Sequence, residues 1–182
     1  MAQDPSIHHL IDRLARLQAA HGWGGDLNPT QRAMLGYLGQ ANRFSRSPSH
    51  VADYLGATRG TTTQSLKSLQ QKGYVAEQRS TVDKRVIRYE LTQAGRDIAA
   101  AASPLGDVIA DMAAADRDSL HQLLRSTLLG VLARHSGREF GLCKTCQHHQ
   151  TRDGAPYCGL LDVSLTRDEA DQICHEQVSP PG

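Results

Sequence analysis

The chain has 182 residues, with 20 Lys and Arg against 19 Asp and Glu, and a formal net charge of +1. That length bounds it to one domain, or one domain and a small module. A near-neutral total excludes a uniformly cationic nucleic-acid binder, and no apolar run approaches the roughly 20 residues of a membrane span. The opening Met-Ala-Gln-Asp-Pro-Ser lacks the pattern of a secretory signal, so a cytoplasmic chain with no membrane partner is expected. The charge is unevenly spread. From Ala41 to Arg96 ten basic residues stand against four acidic ones, a local +6, and the remainder carries −5. A basic segment between acidic ends is the electrostatic footprint of one face meeting phosphates.

Ile7, Leu10, Ile11, Leu14 and Leu17 recur at helical spacing and predict an amphipathic N-terminal helix, which His21-Gly22-Trp23-Gly24-Gly25 ends. Asn28 as cap and Pro29 in the first turn open a second helix through Met34, Leu35 and Leu38. Ser47-Pro48 opens a short helix carrying Val51, Tyr54 and Leu55, closed by Gly56. Thr58 caps the next, with Thr62, Leu66 and Leu69 on its inner face and Gly73 as its stop. The period then shortens. Tyr74–Glu77 and Val86–Leu91 are rich in strand formers and flank a charged connection from Arg79 to Arg85, which predicts a hairpin. Thr92 caps an alanine-rich helix that Ser103-Pro104 either kinks or restarts. The last long helix carries Leu120, Leu123, Leu124, Thr127, Leu128, Val131 and Leu132, a stripe that needs a partner surface. With the N-terminal helix it has the look of a dimerisation arm.

Two short helices joined through Leu55-Gly56-Ala57-Thr58 form a helix-turn-helix, whose second member can lie in a major groove. The outward positions of that helix are Arg59, Thr61, Thr63, Gln64 and Lys67. Arginine and glutamine make bidentate contacts to base edges, threonine offers a methyl and a hydroxyl, and lysine favours phosphate. Gly60 would let the backbone approach a duplex closely. Arg79, Lys84 and Arg85, with Asp83 between, put long cations at the hairpin tip, suited to a narrow minor groove. Asp83 can hold Arg85 extended by a charge-assisted hydrogen bond.

The stretch from Leu27 to Asp97 resembles the winged-helix domain of the MarR (multiple antibiotic resistance regulator) transcription factors. The resemblance rests on Leu27-Asn28-Pro29-Thr30-Gln31, Val51-Ala52-Asp53-Tyr54-Leu55-Gly56 and Thr58-Arg59-Gly60-Thr61-Thr62-Thr63. Its most specific part is Asp83-x-Arg85 followed by Leu91-Thr92-x-x-Gly95. With the flanking helices it extends over roughly residues 5 to 135. It implies a homodimer on a pseudo-palindromic operator in double-stranded DNA, usually repressing, and in many members released by a small-molecule effector or by cysteine oxidation. The expected fold is mainly α with a small β-hairpin wing: a winged helix-turn-helix flanked by dimerisation helices across residues 1–137, then a small cysteine-rich C-terminal module across 138–182.

All four cysteines fall in that tail, as Cys143-Lys-Thr-Cys146, Cys158 and Cys174, with His148, His149 and His175 nearby. In a reducing compartment, clustered thiols point to metal or redox chemistry. Zinc (Zn2+) on four thiolates, or with a histidine replacing one, is the first expectation, although the second Cys-x-x-Cys of a zinc ribbon is missing. An iron-sulfur cluster tolerates the irregular spacing, and a metal-free thiol-disulfide switch is the third reading. Buried, unliganded cysteines are disfavoured, because three of the four stand beside polar or glycine residues. Thr166-Arg167-Asp168-Glu169 reads as a capping box that opens a short helix before Cys174. No oxyanion-stabilising loop or nucleophile elbow accompanies any Cys–His pair, so no enzymatic activity is expected.

Overall fold

The computed structural model describes residues 5–21, 25–79, 87–135 and 137–180. Helices α1 (Pro5–His21), α2 (Pro29–Gln40), α3 (Pro48–Leu55) and α4 (Arg59–Gln71) come first. The punctuation read from sequence is the punctuation observed. Asn28 accepts the Gln31 N–H at 2.9 Å while the Gln31 side chain accepts the Asn28 N–H at 3.3 Å, so two otherwise orphaned donors are satisfied where α2 begins. Ser47 accepts the His50 N–H at 3.3 Å to cap α3, and Gly56 ends that helix in the left-handed region at φ 61°. Thr58 caps α4 by accepting the Thr61 N–H at 3.2 Å.

Strands β1 (Val75–Arg79) and β2 (Ile87–Leu91) pair antiparallel, from Val75 opposite Leu91 to Arg79 opposite Ile87. The Thr92 hydroxyl accepts the Gly95 N–H at 3.2 Å and donates to the Gly73 carbonyl at 2.7 Å, tying α5 (Gln93–Ala99) to the end of α4. Ser103-Pro104 restarts the chain rather than kinking it. Helix α6 (Pro104–Asp111) has its own cap, Ser103, which accepts the Gly106 N–H at 3.1 Å. The long α7 (Ala114–Arg134) follows.

The C-terminal segment contains β3 (Gly141–Leu142), a 3-10 turn (Cys143–Thr145), β4 (His149–Arg152), β5 (Ala155–Cys158), β6 (Val163–Ser164), α8 (Arg167–Ala170) and β7 (Ile173–Cys174). Strands β4, β5 and β6 form an antiparallel sheet, and β3 pairs with β7. The capping box of α8 is present, with Thr166 and Glu169 in reciprocal bonds.

The core lies beneath α2, α3, α4 and the hairpin, where Met34, Leu35, Leu38, Val51, Leu66 and Leu69 have no exposure. Each such side chain stabilises the fold by about 1.5–3 kcal/mol relative to an exposed one. Phe140 and Ile173, from the C-terminal segment, pack on this same core. Phe140 stands edge-on to Tyr54 with ring centroids 5.2 Å apart and to Tyr37 at 6.1 Å, an arrangement favoured by the ring quadrupoles.

A Cβ on Gly95 would overlap the Tyr74 carbonyl, whereas one on Gly36 meets nothing within 4 Å. Gly95→Ala is therefore expected to lower unfolding free energy by about 1–3 kcal/mol. Gly36→Ala should raise it by about 0.5–1 kcal/mol. Urea denaturation of both variants measures the contrast.

Candidate nucleic-acid interface

Because Thr62, Leu66 and Leu69 are buried, the opposite side of α4 must face outward. Arg59, Gly60, Thr61, Gln64 and Lys67 are exposed there, and Thr63 is half-buried. Two hydroxyls already have local partners. The Thr63 hydroxyl donates to the Arg59 carbonyl at 2.8 Å, and the Thr61 and Thr58 hydroxyls share a hydrogen bond at 2.9 Å. Thr63 therefore offers an outside surface its methyl group more readily than its oxygen. A Cβ on Gly60 would meet open space, leaving room for another molecule's backbone.

Arg79 sits at the end of β1, not in the hairpin connection. Its Nε donates to Glu77 at 2.7 Å, and Glu77 also accepts the Tyr89 hydroxyl at 3.3 Å. Asp83, Lys84 and Arg85 lie outside the described residues.

The basic excess of this region is smaller in space than in sequence. Arg43 pairs with Glu169, Arg46 with Glu90, and Lys72 with the Asp26 carbonyl and Gln31. Arg96 donates to the Leu91 carbonyl at 2.7 Å. These cations make hydrogen bonds within the protein. Nothing local in the sequence marks them out, since Glu169 is 126 positions from Arg43.

A second pairing escaped sequence reasoning for the same reason. His50 of α3 stacks on His175 at 3.4 Å between centroids, with the planes 23° apart. Burial, then the adjacent His175, pushes His50 down from 6.5 to about 4. His175 is lowered too, chiefly by burial. Both imidazoles are thus neutral at pH 7, as a stacked pair requires.

The four-cysteine metal centre is not there. Among the described residues, no group of three or more His, Cys, Asp or Glu is placed to hold a metal ion. This corrects the expectation of zinc or an iron-sulfur cluster on Cys143, Cys146, Cys158 and Cys174. All four thiols are free. Cys143, Cys158 and Cys174 form a buried cluster with Leu165, against which Phe44 and Val163 pack. Burial, reinforced by Cys174 and Cys158, pushes the Cys143 thiol up to about 12, and burial also raises Cys174. Burial thus favours the neutral thiol at both positions. Cysteine is among the most readily buried side chains, so here it packs as a small apolar residue. Cys146 is half-buried, its sulfur accepting the Val178 N–H at 3.5 Å. Of the nearby histidines, His148 lies against Gln147 and His175 against Glu176.

Helix-turn-helix plus two-stranded wing is a winged-helix fold, and known proteins share it. The model of the MarR family matches residues 25–86. Streptococcus pneumoniae FabT in complex with DNA is similar at 23% identity and TM-score 0.55, covering 70% of this chain and 94% of that one. A MarR transcriptional regulator from Methanosarcina mazei Go1 gives 23% identity and TM-score 0.58, covering 71% and 99%. The S. aureus MepR–DNA complex gives 17% and 0.55, covering 72% and 99%. Two of these three solved structures are complexes with DNA, and the third is of a transcriptional regulator. No curated protein matches the chain. Among the described residues no helix is long and apolar enough to cross a membrane.

Two measurements check these assignments. The folded protein disfavours protonated His50, while the unfolded chain takes that proton below about pH 6.5. Stability should therefore fall as pH drops from 6.5 toward 4, and His50→Gln should flatten the fall in pH-dependent melts. With no metal site among the described residues, a chelator should leave the melting temperature unchanged. A rise on adding zinc would contradict the packed-thiol assignment.

Proposed function

We propose that this chain is a homodimeric, sequence-specific repressor that binds double-stranded DNA at a pseudo-palindromic operator and has no enzymatic activity. The observation that carries the reading is α4: its apolar face is fully buried, and Arg59, Thr61, Gln64 and Lys67 project from the other side, next to the wing. Arg59 and Gln64 would read base edges, Lys67 would meet phosphate, and Thr63 would present its methyl to thymine. From the sequence, Arg79, Lys84 and Arg85, with Asp83 steadying Arg85, would serve a flanking minor groove. Two of the similar folds are solved in complex with DNA, which supports a DNA-binding role for this chain.

Pairing of two copies would use α1 and α7. Ile7, Leu10 and Leu17 are more than half exposed, as are Leu123 and Leu128, and α7 has no buried residue in the single chain. Apolar stripes of this length call for a partner, and a two-fold pair would set two α4 helices in successive grooves. Residues 1–137 would read and pair, with 138–182 as an added module. A cleft of about 570 Å3 between α1, α2 and the end of α5, lined by Ala15, Arg32, Gly36, Ile98 and Ser103, would take a small-molecule effector. Four free thiols accord with a cytoplasmic protein.

Lys67→Ala should weaken all duplexes evenly and lower the salt slope by about 1. Gln64→Ala should change sequence preference, with a cost of roughly 1–3 kcal/mol at one base position. Selection from a randomised duplex pool, followed by titrations at two salt concentrations, tests both. Equal losses on every duplex for both variants would contradict the reading. Leu14→Asp combined with Leu124→Asp should yield monomers in sedimentation and lose operator binding.

A further inference from the structure

The connection between α2 and α3, residues 41–47, is gripped from two sides. On one side is the C-terminal segment. The Arg43 Nη1 donates to both Glu169 carboxylate oxygens at 2.5 and 2.6 Å, and its Nη2 to the Ser164 carbonyl at 2.9 Å. The Asn42 N–H donates to the Ile173 carbonyl at 2.9 Å, and the His175 N–H to the Ser45 hydroxyl at 2.9 Å. That hydroxyl in turn donates to the Asn42 side chain at 2.7 Å. Asn42 and Ser45 are fully buried, so these bonds stand where water cannot replace them.

On the other side is the wing. The Tyr89 N–H of β2 donates to the Arg46 carbonyl at 3.0 Å, and the Arg46 guanidinium pairs with Glu90. The Arg46 Nε reaches back to the Ala41 carbonyl at 2.9 Å, closing the connection on itself. Its last residue, Ser47, is the cap of α3, whose His50 stacks on His175. One short segment therefore joins the C-terminal segment to the wing strand and to the first helix of the helix-turn-helix.

We infer that Arg43 and Glu169 are positioning residues, through which the C-terminal segment holds the α2–α3 connection, and with it the wing, in the DNA-binding arrangement. The inference rests on the DNA-binding reading above and adds to it a task for the C-terminal segment. Arg43 would otherwise be taken for a phosphate contact, since it belongs to the basic stretch of the sequence. The two roles predict opposite signs. If Arg43 met phosphate, Glu169 would compete for it, and neutralising that carboxylate would strengthen DNA binding. Removing one negative charge would push the same way by simple attraction. If the pair positions the wing, neutralising Glu169 weakens binding although the protein has become more positive.

Glu169→Gln is the informative variant. Glutamine keeps the shape and can still accept the Thr166 N–H that opens α8, so only the ion pair is lost. Binding of the full-length chain to an operator selected from a randomised pool of about 30-base-pair duplexes is measured at two salt concentrations. Melting curves accompany each variant. The expected result is roughly tenfold weaker binding for Glu169→Gln and for Arg43→Ala, within the range of site-to-site coupling. The salt slope should be unchanged, and the double variant no worse than either single one. Tighter or unchanged binding by Glu169→Gln, or a salt slope reduced by about 1 in Arg43→Ala, would overturn the inference.

Should either variant fail to fold, the wild-type chain still decides. Coupling is reciprocal, so operator duplex should slow hydrogen exchange at the Asn42 and His175 amides, which bridge the two parts. Unchanged exchange at both amides, with the duplex bound, rejects the link. A wild-type chain that binds no duplex removes the DNA-binding reading itself, and the inference falls with it.

Discussion

Three side chains without solvent exposure, Thr62, Leu66 and Leu69, decide which way every other residue of α4 points. Helical geometry leaves no freedom once that face is sealed against Met34, Leu35, Leu38 and Val51. Rotating α4 to hide Gln64 or Lys67 would expose two leucines and bury polar groups without partners, a cost of several kcal/mol. The outward set is therefore rigidly presented by the core, the condition for reading base edges at hydrogen-bond precision. The same core is closed on its far side by Phe140 and Ile173, so the C-terminal segment contributes to holding α4 in place.

Electrostatics follows from this packing. A stretch with an excess of six positive charges suggests a uniformly basic face, yet Arg43, Arg46, Lys72 and Arg96 spend their hydrogen bonds inside the protein. Of the described cations in that stretch, Arg59 and Lys67 on α4 stand exposed, as does Arg79 at the end of β1 beside its partner Glu77. A few well-placed cations favour register and specificity over bulk attraction, and this suits a chain whose total charge is nearly zero.

Legibility followed the range of each interaction. Caps and stops act over three or four positions, so Asn28, Ser47, Gly56, Thr58 and Thr92 could be read directly, as could the inner face of α4. The double role of Ser103-Pro104 could not, because kink and restart share one local signature and only the separate cap of α6 distinguishes them. Long-range pairs such as Arg43 with Glu169 and His50 with His175 left no local trace. The cysteines were misread for a related reason. Spacing records which thiols the chain can bring together, but ligation also needs their sulfurs to converge on one point. Cys143, Cys158 and Cys174 are gathered around Leu165 as a buried, apolar cluster instead.

The proposed function has two copies of this chain grip one duplex through paired α4 helices. Sedimentation velocity with a labelled duplex pool, run at low and at moderate ionic strength, tests it most directly. The account predicts a dimer in free solution, two chains on each bound duplex, and association that weakens steeply as salt rises. A chain that sediments as a monomer and leaves the duplex unshifted at low salt would contradict it.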